Sequence, residues 1–251
     1  MKLKYYHIGI ASGVLSIDDK LYIGIDPAFS PKGNIAAFKK FDSKRLKAPA
    51  YTEELIKKTD MWLITHSHED HLDDVGIKEL KKSTPRVICD SKATAERLSP
   101  LKSKILAWGE IYSLKKNGIS VTVKSIPAFH GNNLLMRKII GTVNGYIVDI
   151  RTDGSEKTVY FTGDTVYHKS IVMNLPDKIN VMIANMGNAK SKMFGGPLTM
   201  NTDMLDSYVK ALNPEIVIPV HVDDYSHYDM TMDDIEKAGY RKVMPGDEIE
   251  C

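Results

Sequence analysis

The chain has 251 residues, 43% hydrophobic and 26% charged, with 34 basic and 32 acidic side chains for a formal net charge of +2. Those values are ordinary for a globular protein, and a length of this order buries roughly 70–75% of the unfolded surface, so neither metal nor disulfide is needed merely to fold. A balance so close to neutral gives no global field to draw in nucleic acid, although residues 201–251 hold 12 acidic against 4 basic side chains. Two cysteines, Cys89 and Cys251, make no disulfide framework and no Cys-x-x-Cys pair; a reducing cytoplasm is the expected compartment. The N-terminal apolar stretch is broken by Tyr, His, Gly and Ser and predicts a strand rather than a signal peptide, and no run approaches the roughly 18 apolar residues of a membrane span.

Short β-patterned runs open the chain at 3–9, 13–17 and 21–25, with Asp18-Asp19 as the turn between the last two. The stretch 27–51, with its Pro, Gly, Phe and a basic run from Lys39 to Lys47, predicts a long surface loop of functional or mobile character. From there helical and strand patterns alternate. Thr52 caps a short helix, MWLI at 61–64 is a buried strand, 75–82 is a helix, and strands follow near 86–88, 104–107 and 119–126. A hairpin is predicted through 139–150 and 157–162, turned at Asp153-Gly154. The last third gives a strand at 180–185, a Gly-rich loop, a helix at 202–212, a strand at 215–220, a helix at 231–238 and a closing strand near 247–250. Strand-rich blocks, each followed by βα units, predict an α/β protein with two sheets, each covered by helices. No repeat, low-complexity tract or linker interrupts it.

The densest chemistry lies at Thr65-His66-Ser67-His68-Glu69-Asp70-His71, directly after the MWLI strand. In an extended segment His66 and His68 point to one side, while Asp70 and His71 turn toward a second point a few ångströms away. Neutral imidazole and carboxylate are ligands that suit zinc, iron or manganese. Burying such a cluster without a metal would leave unsatisfied polar groups or repelling imidazoliums. Further ligands are offered where apolar strands end: His130 after ISVTVKSIPAF, Asp164 closing VYFTGD and His221 closing EIVIPVH. Each alone is unremarkable; together they read H-x-H-x-D-H, then H, D and H.

That pattern resembles the metallo-β-lactamase superfamily, over nearly the whole chain. The resemblance implies an αββα four-layer sandwich of two mixed sheets flanked by helices, and a single hydrolase domain over residues 1–251. It also implies a two-metal site in which His66, His68 and His130 hold the first ion and Asp70, His71 and His221 the second, with Asp164 bridging. FTGDT at 161–165, GGPLTMNTD at 195–203 and VIPVH at 217–221 resemble the branch containing ascorbate-phosphate lactonase and N-acyl-phosphatidylethanolamine-hydrolysing phospholipase D. One departure stands out. Members of that branch often carry a Gly-His pair after the first strand, whereas Gly9 is followed here by Ile10, so no substrate role transfers to that position. His7 does not fill the gap and reads as a structural strand histidine.

Two divalent ions about 3.5–4 Å apart share a bridging water and give a hydroxide nucleophile without serine or cysteine. The expected activity is hydrolysis of a small ester, lactone or phosphodiester, with two zinc ions as the default and manganese or iron as alternatives. Asp70 both ligates and guides the nucleophile's proton. Asp26, ending the 21–25 strand, is expected to support a ligating imidazole, the alternative being a turn-forming Asp. His227, with Tyr225 and Tyr228, is expected at the substrate or in a surface loop; Met193 and Phe194 wall an apolar pocket or cap the core; His168 begins a helix as a surface residue.

PAFHGNN at 127–133 differs from the GHTxGH of thioesterase and persulfide dioxygenase members, no cysteine stands where β-lactamases use one, and no room remains for a flavin domain. A nucleic-acid phosphodiesterase is the runner-up, with nucleic acid an unlikely partner given the acidic C-terminal fifth. A non-catalytic metal-binding scaffold is the third reading. Homo-oligomerisation stays open.

Overall fold

Strand formation follows the two-residue alternation of the first 25 residues. In the computed structural model, which describes residues 1–38, 41–190 and 196–251, β1 (Leu3–Gly9), β2 (Ser12–Ile17) and β3 (Leu21–Ile25) form an antiparallel meander. Asp18 and Asp19 turn β2 into β3 with φ of 51° and 52°, a left-handed region that Asp tolerates better than most residues, Asp19 accepting from Ser16 Oγ within the turn and Asp18 from the Lys2 N–H at the start of the chain. β4 (Ile35–Phe38) and β5 (Phe41–Lys44) make a separate two-stranded ribbon. Then α1 (Glu53–Lys58), β6 (Met61–Leu63), α2 (Asp74–Ser83), β7 (Arg86–Cys89), α3 (Lys92–Leu98) and β8 (Ser103–Ile105) alternate, with β3, β6, β7 and β8 parallel. Thr52, Asp73 and Ser91 cap the three helices by accepting the N–H three residues on, each cap contributing about 1 kcal/mol. Ile56 of α1, Ile77 and Leu80 of α2 and Leu98 of α3 pack over Trp62 and Val87, each such side chain gaining about 1.5–3 kcal/mol from burial.

Contacts divide the chain into two compact units: Met1–Leu106 with Asp224–His227 and Met244–Cys251, and Ala107–Asp223 with Tyr228–Val243. In the second unit β9 (Ile111–Lys116), β10 (Ile119–Pro127), β11 (Asn144–Thr152) and β12 (Ser155–Phe161) run antiparallel, and β13 (Val181–Asn185) and β14 (Ile216–Val220) continue parallel to β12. β10 alternates buried Ile119, Val121 and Val123 with half-buried Ser120, Thr122 and Lys124, whereas β13 is buried at all five positions, as a central parallel strand must be. Between the strands lie α4 (Leu134–Ile140), α5 (Lys169–Val172), α6 (Thr202–Leu212) and α7 (Met232–Lys237). Leu205, Tyr208 and Leu212 of α6, with Met232 and Ile235 of α7, pack around Tyr160 and Met182.

The last strand, β15 (Glu248–Glu250), returns to the first unit and pairs with β1, setting Tyr5 opposite Ile249. The first sheet is therefore ordered β15-β1-β2-β3-β6-β7-β8 and the second β14-β13-β12-β11-β10-β9, both mixed. No helix among the described residues is long and apolar enough to cross a membrane.

Two sequence expectations need correcting. The stretch 27–51 is not loop throughout, because β4 and β5 occupy its middle; the basic run disguised an alternation in which Ala36 and Ser43 are buried between exposed neighbours. Residues 139–140 belong to α4, and the strand begins at Asn144, since Leu134–Ile140 is an apolar run without two-residue alternation.

Candidate metal centre

Parallel strands deliver side chains at their C-terminal ends. β6 is buried along its length, and where it stops Thr65 and His66 emerge beside the end of β3, at which Asp26 stands with φ 46° and no exposure. Asp26 Oδ1 accepts from Thr65 N at 2.7 Å; its Oδ2 accepts from Thr65 Oγ1 at 2.8 Å and lies 2.8 Å from His71 Nδ1. Burial pushes the Asp26 carboxyl above its usual range, opposed by the neighbouring His71 and the bonds from His71 and Thr65. A carboxylate against Nδ1 fixes the ring proton there and makes Nε2 the nitrogen presented to a cation.

After His66 the backbone turns sharply, His71 N and Leu72 N both donating to His68 O at 2.9 and 2.8 Å. That turn brings His66 Nε2 to 3.0 Å from His68 Nδ1 and His71 Nε2 to 4.0 Å from Asp70 Oδ1. His66, Asp70 and His71 are buried and His68 half-buried. Imidazoles this crowded cannot all be protonated, which suits them as metal ligands. From outside, Arg97 of α3 clamps the turn, donating to Ser67 O and, at 2.8 Å, to Glu69 Oε1.

In the second unit β10, β12 and β14 run in one direction and bring their C-terminal ends to one rim. His130 follows β10 and its Nδ1 donates to Leu198 O at 2.9 Å, which again makes Nε2 the candidate ligand atom. Asp164 follows β12; its Oδ2 lies 3.5 Å from His130 Nε2, and its Oδ1 lies 3.7 Å from His221 Nε2 and accepts from Asn185 Nδ2 at 3.1 Å. His221 directly follows β14 with φ 64°, its ring stacked on Tyr228, whose hydroxyl is 2.8 Å from His221 Nε2. Gly187 makes room for it: at φ 98°, a Cβ there would sit 3.1 Å from His221 O and 3.3 Å from His221 Nδ1.

The first unit thus gathers His66, His68, Asp70 and His71, and the second His130, Asp164 and His221. Within each unit the separations of 3.0–4.0 Å bracket the edge of a tetrahedron with bonds of about 2.0–2.1 Å, roughly 3.3 Å. The donor set therefore fits metal.

Of the other expected residues, His227 lies in the first unit with Nδ1 2.7 Å from Ser43 Oγ, its ring against Phe38 and Phe41. Tyr225 is buried, and that burial, with the Asp70 charge next, raises its phenol well above the usual range. His168 caps α5 and is half-buried. Met193 and Phe194 lie outside the described residues. Ile10 is wholly buried at φ 57° and donates its N–H to Asp224 Oδ2 at 3.1 Å. Sequence reasoning missed Thr65 as a support, Arg97, Asn185, Leu198, Asp224 and the buried Arg45, whose guanidinium donates to Ala28 O and Lys47 O. Only Thr65, inside the motif and directly before His66, carried a local signal.

Residues 22–222 match a family model described as a beta-lactamase superfamily domain. The UPF0173 metal-dependent hydrolase of Salinibacter ruber is 30% identical over 192 residues, covering 71% of this chain and 74% of that one. Among solved structures, a possible metal-dependent hydrolase from Veillonella parvula shares the fold over 99% of both chains with a TM-score of 0.82 at 24% identity. An isothiocyanate hydrolase from Delia radicum gut bacteria does so over 98% of both with a TM-score of 0.78 at 21% identity. The chain belongs to the metallo-β-lactamase superfamily. It is an α/β protein of that fold, with two mixed sheets, and a metal-dependent hydrolase.

Proposed function

We propose that the chain is a dinuclear hydrolase of a small ester, lactone or phosphodiester. His66, His68 and His130 would hold one divalent ion and Asp70, His71 and His221 the other, with Asp164 shared. The observation that carries this reading is Asp164, whose two oxygens face separate imidazoles, His130 at 3.5 Å and His221 at 3.7 Å. The mixed imidazole and carboxylate set favours zinc, with manganese or iron as alternatives. When bound, such a pair supplies Lewis acidity and a water of near-neutral pKa.

The chain's own residues do the positioning. Asp26 and Leu198 O fix the tautomers of His71 and His130, Asn185 orients Asp164, and Asp70 takes up the nucleophile's proton. The acidic C-terminal fifth disfavours a nucleic-acid phosphodiesterase, and a sequence with only two cysteines and no Cys-x-x-Cys pair fits a reducing cytoplasm.

The test is the metal content of protein purified without added metal. It is paired with hydrolysis of a simple lactone, a bis-aryl phosphodiester, a phosphorylated sugar lactone and a β-lactam. Two metals per chain, with turnover abolished by His68→Ala, is the expected result, and the best substrate names the branch. Less than one metal, or turnover indifferent to His68→Ala, supports the non-catalytic scaffold instead.

A further inference from the structure

We infer that the inward face of the β4–β5 ribbon is a selectivity wall that takes an apolar acyl or aryl group of the substrate beside His68. The inference deepens the hydrolase reading and rests on His68 being a ligand. In the ribbon, Ala36 lies opposite Ser43 and Phe38 opposite Phe41, so these four side chains share one face. Ile35, 66% exposed, and Ala37 point the other way. On the shared face the rings of Phe38 and Phe41 stack at 5.0 Å and 13°. His227 meets both at 4.9 and 5.1 Å, and its Nδ1 is held by Ser43 Oγ at 2.7 Å. Phe38 then stands edge-on to the ring of His68, 6.3 Å away at 80°.

Two features separate this wall from ordinary packing. A two-stranded ribbon has too little core to be stable alone, and this one is pinned at its base as well as by Phe38, whose ring meets the buried Tyr225 edge-on at 6.0 Å. Ser226 N donates to Lys44 O at 3.0 Å, Lys44 N donates to Ser226 Oγ at 3.0 Å, and Arg45 bridges to Tyr225. The aromatic pair is also not consumed by the core: Phe41 remains 47% exposed and Phe38 half-buried. Aromatic surface left open beside a metal ligand favours a compact substrate with a hydrophobic group next to the bond that is cleaved, and disfavours a strongly charged one.

The test is ligand-observed NMR titration of the full chain with acetate, butyrate, hexanoate and phenylacetate, with zinc and after chelation. In the wild type, affinity is expected to rise up to about fourfold per methylene, the equivalent of about 0.8 kcal/mol per buried CH2. Phe38→Ala with Phe41→Ala flattens that dependence, and Phe41→Ser, at a half-exposed position that folding tolerates, flattens it in part. Ile35→Ala, on the opposite face, keeps the wild-type dependence. A flat wild-type series, or one unchanged in the double variant, overturns the wall. Zinc governs the common offset of the series and the wall its chain-length dependence. An offset indifferent to zinc therefore counts against the metal centre alone, while the slope still decides the wall.

Discussion

Asp26 and His71 are joined by a buried contact of 2.8 Å, and Thr65 Oγ1 touches both, at 2.8 Å from Asp26 Oδ2 and 3.2 Å from His71 Nδ1. One carboxylate thus sets the tautomer of His71 and the start of the turn at residues 66–71 together. Asp26→Asn replaces an acceptor with a group whose amide also donates, and is expected to lower zinc affinity ten- to a hundredfold. Competition with a chromophoric chelator measures this, and unchanged affinity would show that other contacts hold His71. Thr65→Val is expected to act in the same direction and more weakly.

Arg97 acts on the same turn from outside through Ser67 O and Glu69. Arg97→Ala is expected to speed amide exchange across residues 67–72 and to weaken zinc binding severalfold, with Arg97→Lys intermediate because a lysine cannot make the forked contact. Hydrogen-exchange mass spectrometry separates this from global destabilisation: exchange in β10 and β13 stays as in the wild type.

Gly76 fixes how α2 approaches the segment after Asp26. A Cβ at this position would fall 1.7 Å from Pro27 O, and Asp73 ties the same contact by accepting from Gly76 N at 2.7 Å and Ser30 N at 2.6 Å. Gly76→Ala forces helix and segment apart and is expected to cost about 1–3 kcal/mol. The denaturation midpoint should fall with an unchanged m-value; a wild-type midpoint would contradict the close approach.

Much of this was legible in the chain before its structure. α6 spans the predicted 202–212, because its apolar positions recur at helical spacing between an Asn cap and an Asn stop. The seven His and Asp positions stood out as candidates because they lie in the segments that follow apolar strands, and strands end at sheet rims. Supports such as Arg97 and Asn185 were invisible, since an arginine in a short helix and an asparagine at a strand end have many uses that only three-dimensional proximity decides. β9 was missed for a related reason: it is an edge strand of half-polar sequence, and its pairing with β10 rather than its own pattern makes it a strand.

His7 offers a pH test away from the ligands. It is 1% exposed, neither ring nitrogen has a hydrogen-bond partner among the described residues, and burial, helped by Lys47 and Arg45, pushes its pKa down to about 3 from 6.5. The unfolded chain therefore binds a proton that the folded chain refuses. Stability from this site is full above about pH 6.5 and falls toward pH 3, at up to about 1.4 kcal/mol per pH unit. Asp90 works oppositely: burial raises it to about 6, so its contribution is lost as pH rises through that value. Both forms contain Asp90, so the difference between wild type and His7→Leu in urea melts from pH 7 to 4 isolates His7. That difference should shift in favour of the variant as pH falls; no shift would mean that His7 takes up its proton in the fold as readily as in the unfolded chain.

The pairing of Tyr5 with Ile249 has a consequence for how the protein is made. Until residues 248–250 have left the ribosome, β1 presents an unpaired edge, and a cut at the boundary after Leu106 would leave that edge open for good. Unpaired strand edges invite association with other chains, and contacts this far apart in sequence form slowly. The nascent chain should therefore depend on chaperones until its last strand docks, and fragments ending before β15 should be recovered as aggregates rather than as a free first unit.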